Sequence, residues 1–217
     1  MNGQTLTLAV SGLLWRSSLV MIDQETESLW SHLLGTAMQG PLEGSKLEAI
    51  PSTMTDWGSW RERYPSTTVM QMSRTTNEYR RGMHLNEIML PSYPLPDALV
   101  IGLVGDGKAR CWRFDSLRID LVINDRFAGQ PVVAVFEPKS GTATVFSRIF
   151  AGQEMSFTFK GGKLVDDRQQ SEWDPITGEA ADEAHEGRQL RKLPGIVSLK
   201  PAWIDFHPET TVWSKGS

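Results

Sequence analysis

The chain repeats itself, and that repeat limits the folds open to it more than any other feature. Displaced by 143 residues, Asp23, Ser28 and Trp30 fall on Asp166, Ser171 and Trp173, and Gly35 and Ala37 fall on Gly178 and Ala180. Glu43, Gly44, Leu47 and Pro51 fall on Glu186, Gly187, Leu190 and Pro194. Trp60, Pro65, Thr67, Thr68 and Val69 fall on Trp203, Pro208, Thr210, Thr211 and Val212. These are 14 identities over the 47 ungapped positions 23–69, against about three expected from ordinary residue frequencies. Two of them are tryptophan on tryptophan. One supersecondary unit is therefore expected twice in the chain.

Upstream of Asp23 the offset becomes 149. Gly3-Gln4 then falls on Gly152-Gln153, Leu6, Leu8 and Val10 on Met155, Phe157 and Phe159, and Gly12 on Gly161. The first copy thus carries six extra residues around Leu13-Leu14-Trp15-Arg16-Ser17-Ser18. Lying between two strands, they lengthen a loop or hairpin tip and form either a lid over the other copy or an added contact. Residues 99–150 have no counterpart after Met1, so the first copy is expected to lack its N-terminal half. A fragment, a truncated gene product and a start codon set too far downstream remain the alternatives. The boundaries expected are 1–75 for the C-terminal half of the first module, 76–97 for a connecting segment and 98–217 for an essentially complete second module.

The local patterns are mostly those of strands. Residues 5–10 alternate apolar and polar, and Leu19 to Ile22 and Ser28 to Leu34 flank a polar run, which together indicate a hairpin with a turn of four to five residues. A short strand is expected at Lys46 to Ile50. Trp57, Trp60 and Tyr64 recur at helical spacing, with Ser52 or Thr53 as cap, Asp56 in the first turn and Pro65 as the stop. The second copy repeats that helix around Trp203, Phe206 and His207 before Pro208. Further strands are expected at 100–104, 109–114, 132–136, 142–146, 155–159, 164–165 and 171–173, with a helical turn at Leu117 to Leu121. Gly105-Asp106-Gly107, Asn124-Asp125 and Lys160-Gly161-Gly162 read as hairpin punctuation. The fold class is mainly β, a β-rich α+β chain of two pseudo-repeated modules with short helices, and a sandwich or open barrel is the expected architecture.

Composition excludes several functions. A net charge of -4 without a Lys/Arg cluster argues against nucleic acid as a partner. The single cysteine, Cys111, forms no internal disulfide and reads as a buried structural residue on a strand. No apolar run is long enough to span a membrane as a helix, and the first residues carry no basic region of a secretory signal. His32, His84, His185 and His207 make no ligand spacing, and glycines make no nucleotide loop, so neither a metal nor a cofactor is expected.

The most site-like pattern is Asp-x-x-Thr-x-Ser-x-Trp. It supplies Asp23, Thr26, Ser28 and Trp30 in the first copy and Asp166, Ser171 and Trp173 in the second, where Gln169 replaces the threonine. On a regular strand Ser28 and Trp30 share a face, which suits a pocket wall with one polar contact. The competing reading is that each aspartate pins a hairpin turn and each tryptophan fills a core. His207 takes the place of Tyr64 on the helical face, where capping or packing explains it.

The strings Ser11-Gly12-Leu13-Leu14, Asp23-x-x-Thr26-x-Ser28-Leu29-Trp30, Gly35-x-Ala37-x-x-Gly40-Pro41-Leu42-x-Gly44, Trp57-x-x-Trp60 and Phe206-His207-Pro208-Glu209-Thr210 resemble the family catalogued as domain of unknown function 3179 (DUF3179). The resemblance covers residues 3–213. It implies two modules and, in many members, a secretory or lipoprotein signal and thus a location outside the cytoplasm. It also implies a Cys-Pro-Leu-Cys-like stretch in the first module, yet the comparable stretch of the second copy is Glu137-Pro138-Lys139-Ser140-Gly141. The function expected first is a non-catalytic binding or structural module, with a small molecule, glycan or peptide in the cleft between the copies and the tryptophans as its walls. The alternatives are a hydrolase or redox-type enzyme with its site at the interface of the copies, and an inactive remnant that self-associates through an exposed edge.

Overall fold

The computed structural model describes residues 5–16, 18–69 and 98–216. The expected connecting segment 76–97 lies outside them. The chain is β-rich with short helices. In the first part, β1 (Leu8–Trp15), β2 (Ser18–Asp23), β3 (Leu29–Ser31) and β4 (Thr36–Gln39) form an antiparallel sheet in chain order. Helix α1 (Trp57–Arg63) follows. The six extra residues extend the β1–β2 hairpin itself, and its register shifts between Val10 and Leu14 to absorb them.

The second part is a stack of layers. β5 (Leu99–Gly105) and β6 (Lys108–Arg113) form a hairpin, and α2 (Phe114–Asp120) leads into the three-stranded sheet of β7 (Val122–Phe127), β8 (Gln130–Glu137) and β9 (Thr142–Ser147). The short pair β10 (Ile149–Phe150) and β11 (Gln153–Glu154) precedes a third sheet of β12 (Phe157–Lys160), β13 (Lys163–Asp166) and β14 (Glu172–Trp173). The chain then returns to the first hairpin. β15 (Ile196–Leu199) pairs with β5, α3 (Lys200–Phe206) crosses behind, and β16 (Thr211–Val212) lies parallel to β6.

The sequence of β8 reflects its place in the middle of this stack. Val132, Ala134 and Phe136 enter a core with Ile101, Trp112 and Leu117, whereas Val133 and Val135 enter a second core with Phe157, Leu164 and Trp173. A strand buried on both faces has no solvent side on which to place polar residues, so it reads as a continuous apolar run. On the far side of β5 and β6, Trp203 packs with Val100 and Cys111. Gly102 makes room for that indole, since a Cβ there would lie 2.3 Å from its ring. Cys111 is fully buried, and burial pushes its thiol pKa up.

The same contacts recur at the sequence offset. Leu47 N–H donates to the Gly35 carbonyl and Leu190 N–H to the Gly178 carbonyl, each at 2.8 Å. Met21 faces Trp30 as Leu164 faces Trp173. The indole of Trp60 donates to the Thr67 hydroxyl at 3.0 Å, and that of Trp203 to the Thr210 hydroxyl at 2.9 Å. At 149 residues, Gln24 N–H bonds to the Thr7 carbonyl and Asp167 N–H to the Ser156 carbonyl. We infer from these paired bonds that the two segments are copies of one module.

Three local expectations need correction. Asn124-Asp125 is no turn but lies inside β7, and the hairpin turns at Ala128-Gly129, both with positive φ. The two polar side chains serve other strands. The Asn124 amide bonds both the N–H and the carbonyl of Phe157 at 2.8 Å, and Asp125 accepts from Arg110 and from the Trp112 indole. Lys46 to Ile50 forms only a single bridge, Thr36 to Lys46. In the second copy the matching stretch is also held by a bridge from Lys192 to Phe146 of β9, a strand with no counterpart among the described first-copy residues. Finally, Asp56 is the cap of α1, accepting from Ser59 N–H at 3.0 Å, rather than a first-turn residue.

Candidate functional site

Each aspartate of the repeated motif sits where its strand ends and folds back on its own turn. Asp23 is fully buried and accepts from Thr26 N–H at 2.6 Å, the Thr26 hydroxyl at 2.8 Å and the Trp30 indole at 2.8 Å. Thr26 and Ser28 hydroxyls bond at 2.7 Å, and the Ser28 hydroxyl accepts from Leu42 N–H. Asp166 accepts from Arg168 N–H at 2.9 Å, Gln169 N–H at 2.8 Å, Ser171 N–H at 3.1 Å and the Trp173 indole at 3.2 Å. Both tryptophans are buried. The carboxylates thus satisfy donors that would otherwise be stranded in a core. Burial opposes ionisation of Asp23, but the hydrogen bonds from Trp30 and Thr26 outweigh it and hold its pKa below the ordinary 3.8.

Ser171 differs from Ser28 in its partner. Its hydroxyl lies 3.1 Å from Nδ1 of His185, and Asp182 Oδ1 lies 3.3 Å from the same nitrogen. A Ser-His-Asp relay needs the serine at one ring nitrogen and the carboxylate at the other, so this trio lacks relay geometry. His207 caps α3, its ring centroid 4.3 Å from that of Trp203, and burial lowers its pKa. Among the described residues, no hydrogen bond joins the first-copy candidates Asp23, Thr26, Ser28 and Trp30 to the second-copy candidates Asp166, Ser171, Trp173 and His207. The structure brings together each local set and not the two sets.

What does converge is the seam between the copies. Arg63 on α1 pairs with Asp174 at 2.9 Å, and the Tyr64 hydroxyl donates to Glu179 at 3.0 Å. Burial, followed by the nearby Glu179, raises the Tyr64 pKa. The Thr142 hydroxyl donates to that of Thr55 at 2.7 Å, and Lys192 Nζ to the Thr53 hydroxyl at 2.6 Å. Burial lowers the Lys192 pKa against the opposing charges of Asp174 and Glu179. From the other side the inserted hairpin tip reaches α3. Trp15 meets Phe206 edge-on at 4.9 Å, and Arg16 stacks over Trp15 while donating to the Asp205 carbonyl. The extra residues are therefore a contact between the copies.

A cavity of about 700 Å³ opens along this seam. Met54 and Thr55 of the first copy form one wall, and Leu99, Phe114 and Phe136 form the apolar opposite wall. Arg118 at its lining makes no ion pair among the described residues. The rim includes the turn Pro138 to Gly141, fixed by the buried Glu137, which accepts from Lys139 N–H at 2.9 Å and Ser140 N–H at 2.7 Å. That turn occupies the place where the family resemblance implies a cysteine pair in the first module. The tryptophans expected to line the cleft instead fill cores, and phenylalanines take their place. Sequence reasoning passed over Arg118, Thr55 and Lys192, because each matters only through partners far away in the chain.

The chain matches the model of a family described as protein of unknown function (DUF3179) over residues 1–210. The chain belongs to this family. No curated protein and no solved structure matches it. For this DUF3179 protein no helix among the described residues is long and apolar enough to cross a membrane.

The repeated carboxylates carry a stability prediction. Asp166→Ala strands four donors and is expected to lower the unfolding free energy by about 3 kcal/mol, measured by urea denaturation. The folded-state pKa of Asp23 is depressed, so its contribution is present above its unfolded pKa and is lost as pH falls through the lower folded value. Asp23→Asn is expected to flatten the decline in urea midpoint between about pH 5 and pH 3. Unchanged midpoints in both variants would remove the structural role.

Proposed function

We propose that this protein is a non-catalytic binding module, and that the seam cavity between the copies takes a small molecule or the end of a glycan or peptide. The observation that carries this is the cavity itself, walled by both copies, apolar on one side and holding an unpaired arginine. Its volume lies within the usual range of ligand sites. The motif aspartates support binding over catalysis, since local donors already use their oxygens. Met54 is half-exposed at the mouth and tolerates replacement. Met54→Trp is expected to fill the mouth and weaken any ligand found by fragment screening by about tenfold or more, as read by titration calorimetry. A ligand whose affinity ignores this change binds elsewhere.

A second reading, self-association of two copies of this chain, has its own support. Leu47 is 38% exposed where its counterpart Leu190 is 1% exposed, and Ile50 and Val69 are 77% and 64% exposed. The edge strand β1 carries no charged residue, and Leu8 lacks the amide clamp that Asn124 gives its counterpart Phe157. Unblunted edges pair with one another. Sedimentation velocity is expected to show dimers growing with concentration, and the double variant Ile50→Lys, Val69→Lys is expected to remain monomeric. A parent chain that is monomeric throughout would overturn this reading.

A further inference from the structure

We propose that the second copy holds a separate site for an oxyanion of the phosphate or sulfate type, free or as the end group of a small ester. A cavity of about 130 Å³ lies beside β14, with Arg168, Arg188, His185, Gln153, Gln169 and Trp173 among its lining residues. That is room for one oxyanion and little more. Neither arginine enters an ion pair among the described residues. Arg188 is placed by the ring of Phe150, 5.9 Å from its guanidinium. Two guanidinium groups at a shared cavity match the planar, multiply accepting edge of an oxyanion.

The acids nearby do not cancel this charge by direct pairing. Asp166 touches the cavity, but four donors already occupy its oxygens. Asp182 accepts from Glu172 N–H at 2.8 Å and from His185 N–H at 3.0 Å. His185 has Nδ1 engaged by Ser171 and Asp182, which fixes the ring. Its Nε2 has no partner among the described residues and is the third donor the site offers.

The first copy is an internal control. At the offset of 143 residues, Arg168, His185 and Arg188 become Glu25, Leu42 and Ser45. The surrounding frame of aspartate, serine and tryptophan is kept while every cationic or imidazole group is absent. Glu25 instead binds Thr7 N–H at 2.8 Å. The frame therefore folds without these three side chains, and packing alone does not account for them.

The test is binding of inorganic phosphate to the full chain at constant ionic strength, followed by amide NMR shifts and by thermal unfolding. Saturable shifts centred on residues 168, 185 and 188, with a rise in Tm, are expected. Arg188→Ser and Arg168→Glu place the first copy's residues in the second and are expected to weaken binding by about tenfold or more, with the Tm of the free protein little changed. Phenyl phosphate separates the sources: tighter binding than phosphate assigns an ester end group, and equal or weaker binding assigns the free ion. Met54→Trp is expected to leave all of this unchanged, because the seam cavity is distinct. Shifts that do not saturate, or that persist in both arginine variants, overturn the site.

Discussion

A buried carboxylate that accepts an indole N–H holds the core of each copy together. Asp23 and Asp166 lie at strand ends inside the protein, where a charge would be costly unless its oxygens were filled. The turn N–H groups and the tryptophan across the hairpin fill them. The bond fixes the tryptophan's orientation, and in the second copy that tryptophan anchors the core that carries the β12–β14 sheet against β8 and β9. The turn, the register and the core thus rest on one interaction, used twice.

The consequence for function is a separation of roles. Groups whose hydrogen bonds are spent inside a turn have little capacity left for a substrate. The groups with spare capacity lie where the copies meet, or where the second copy departs from the first. The seam joins residues far apart in the chain, Arg63 with Asp174 and Thr55 with Thr142, so its cavity is a property of the pairing of the copies. The hairpin insertion reinforces that pairing from the opposite side through Trp15 and Phe206.

Much of the fold was legible in the residues. Gly-containing turns and alternating or continuous apolar runs located β5, β6, β8, β9 and β13, and the aromatic spacing located both α1 and α3. Asn124-Asp125 misled because its turn-like composition also suits another use, an amide that stands in for a neighbouring strand at Phe157. Lys46 to Ile50 misled because an apolar pattern forms a strand only when a partner strand is present. The motif Asp-x-x-Thr-x-Ser-x-Trp was visible as a unit, and its turn-pinning geometry followed from residue chemistry. Arg118 and Arg188 were invisible as site residues, since a surface arginine acquires meaning only from the cavity beside it.

The central claim is that the carboxylate–indole bond is a permanent part of each folded copy, and proton NMR of the tryptophan side chains tests it most directly. The account predicts that the indole N–H signals of Trp30 and Trp173 lie downfield and exchange with solvent only as slowly as the core unfolds. It also predicts that Asp23→Asn moves the Trp30 signal and leaves that of Trp173 in place. Rapid exchange of both indoles, or signals indifferent to the aspartates, would contradict it.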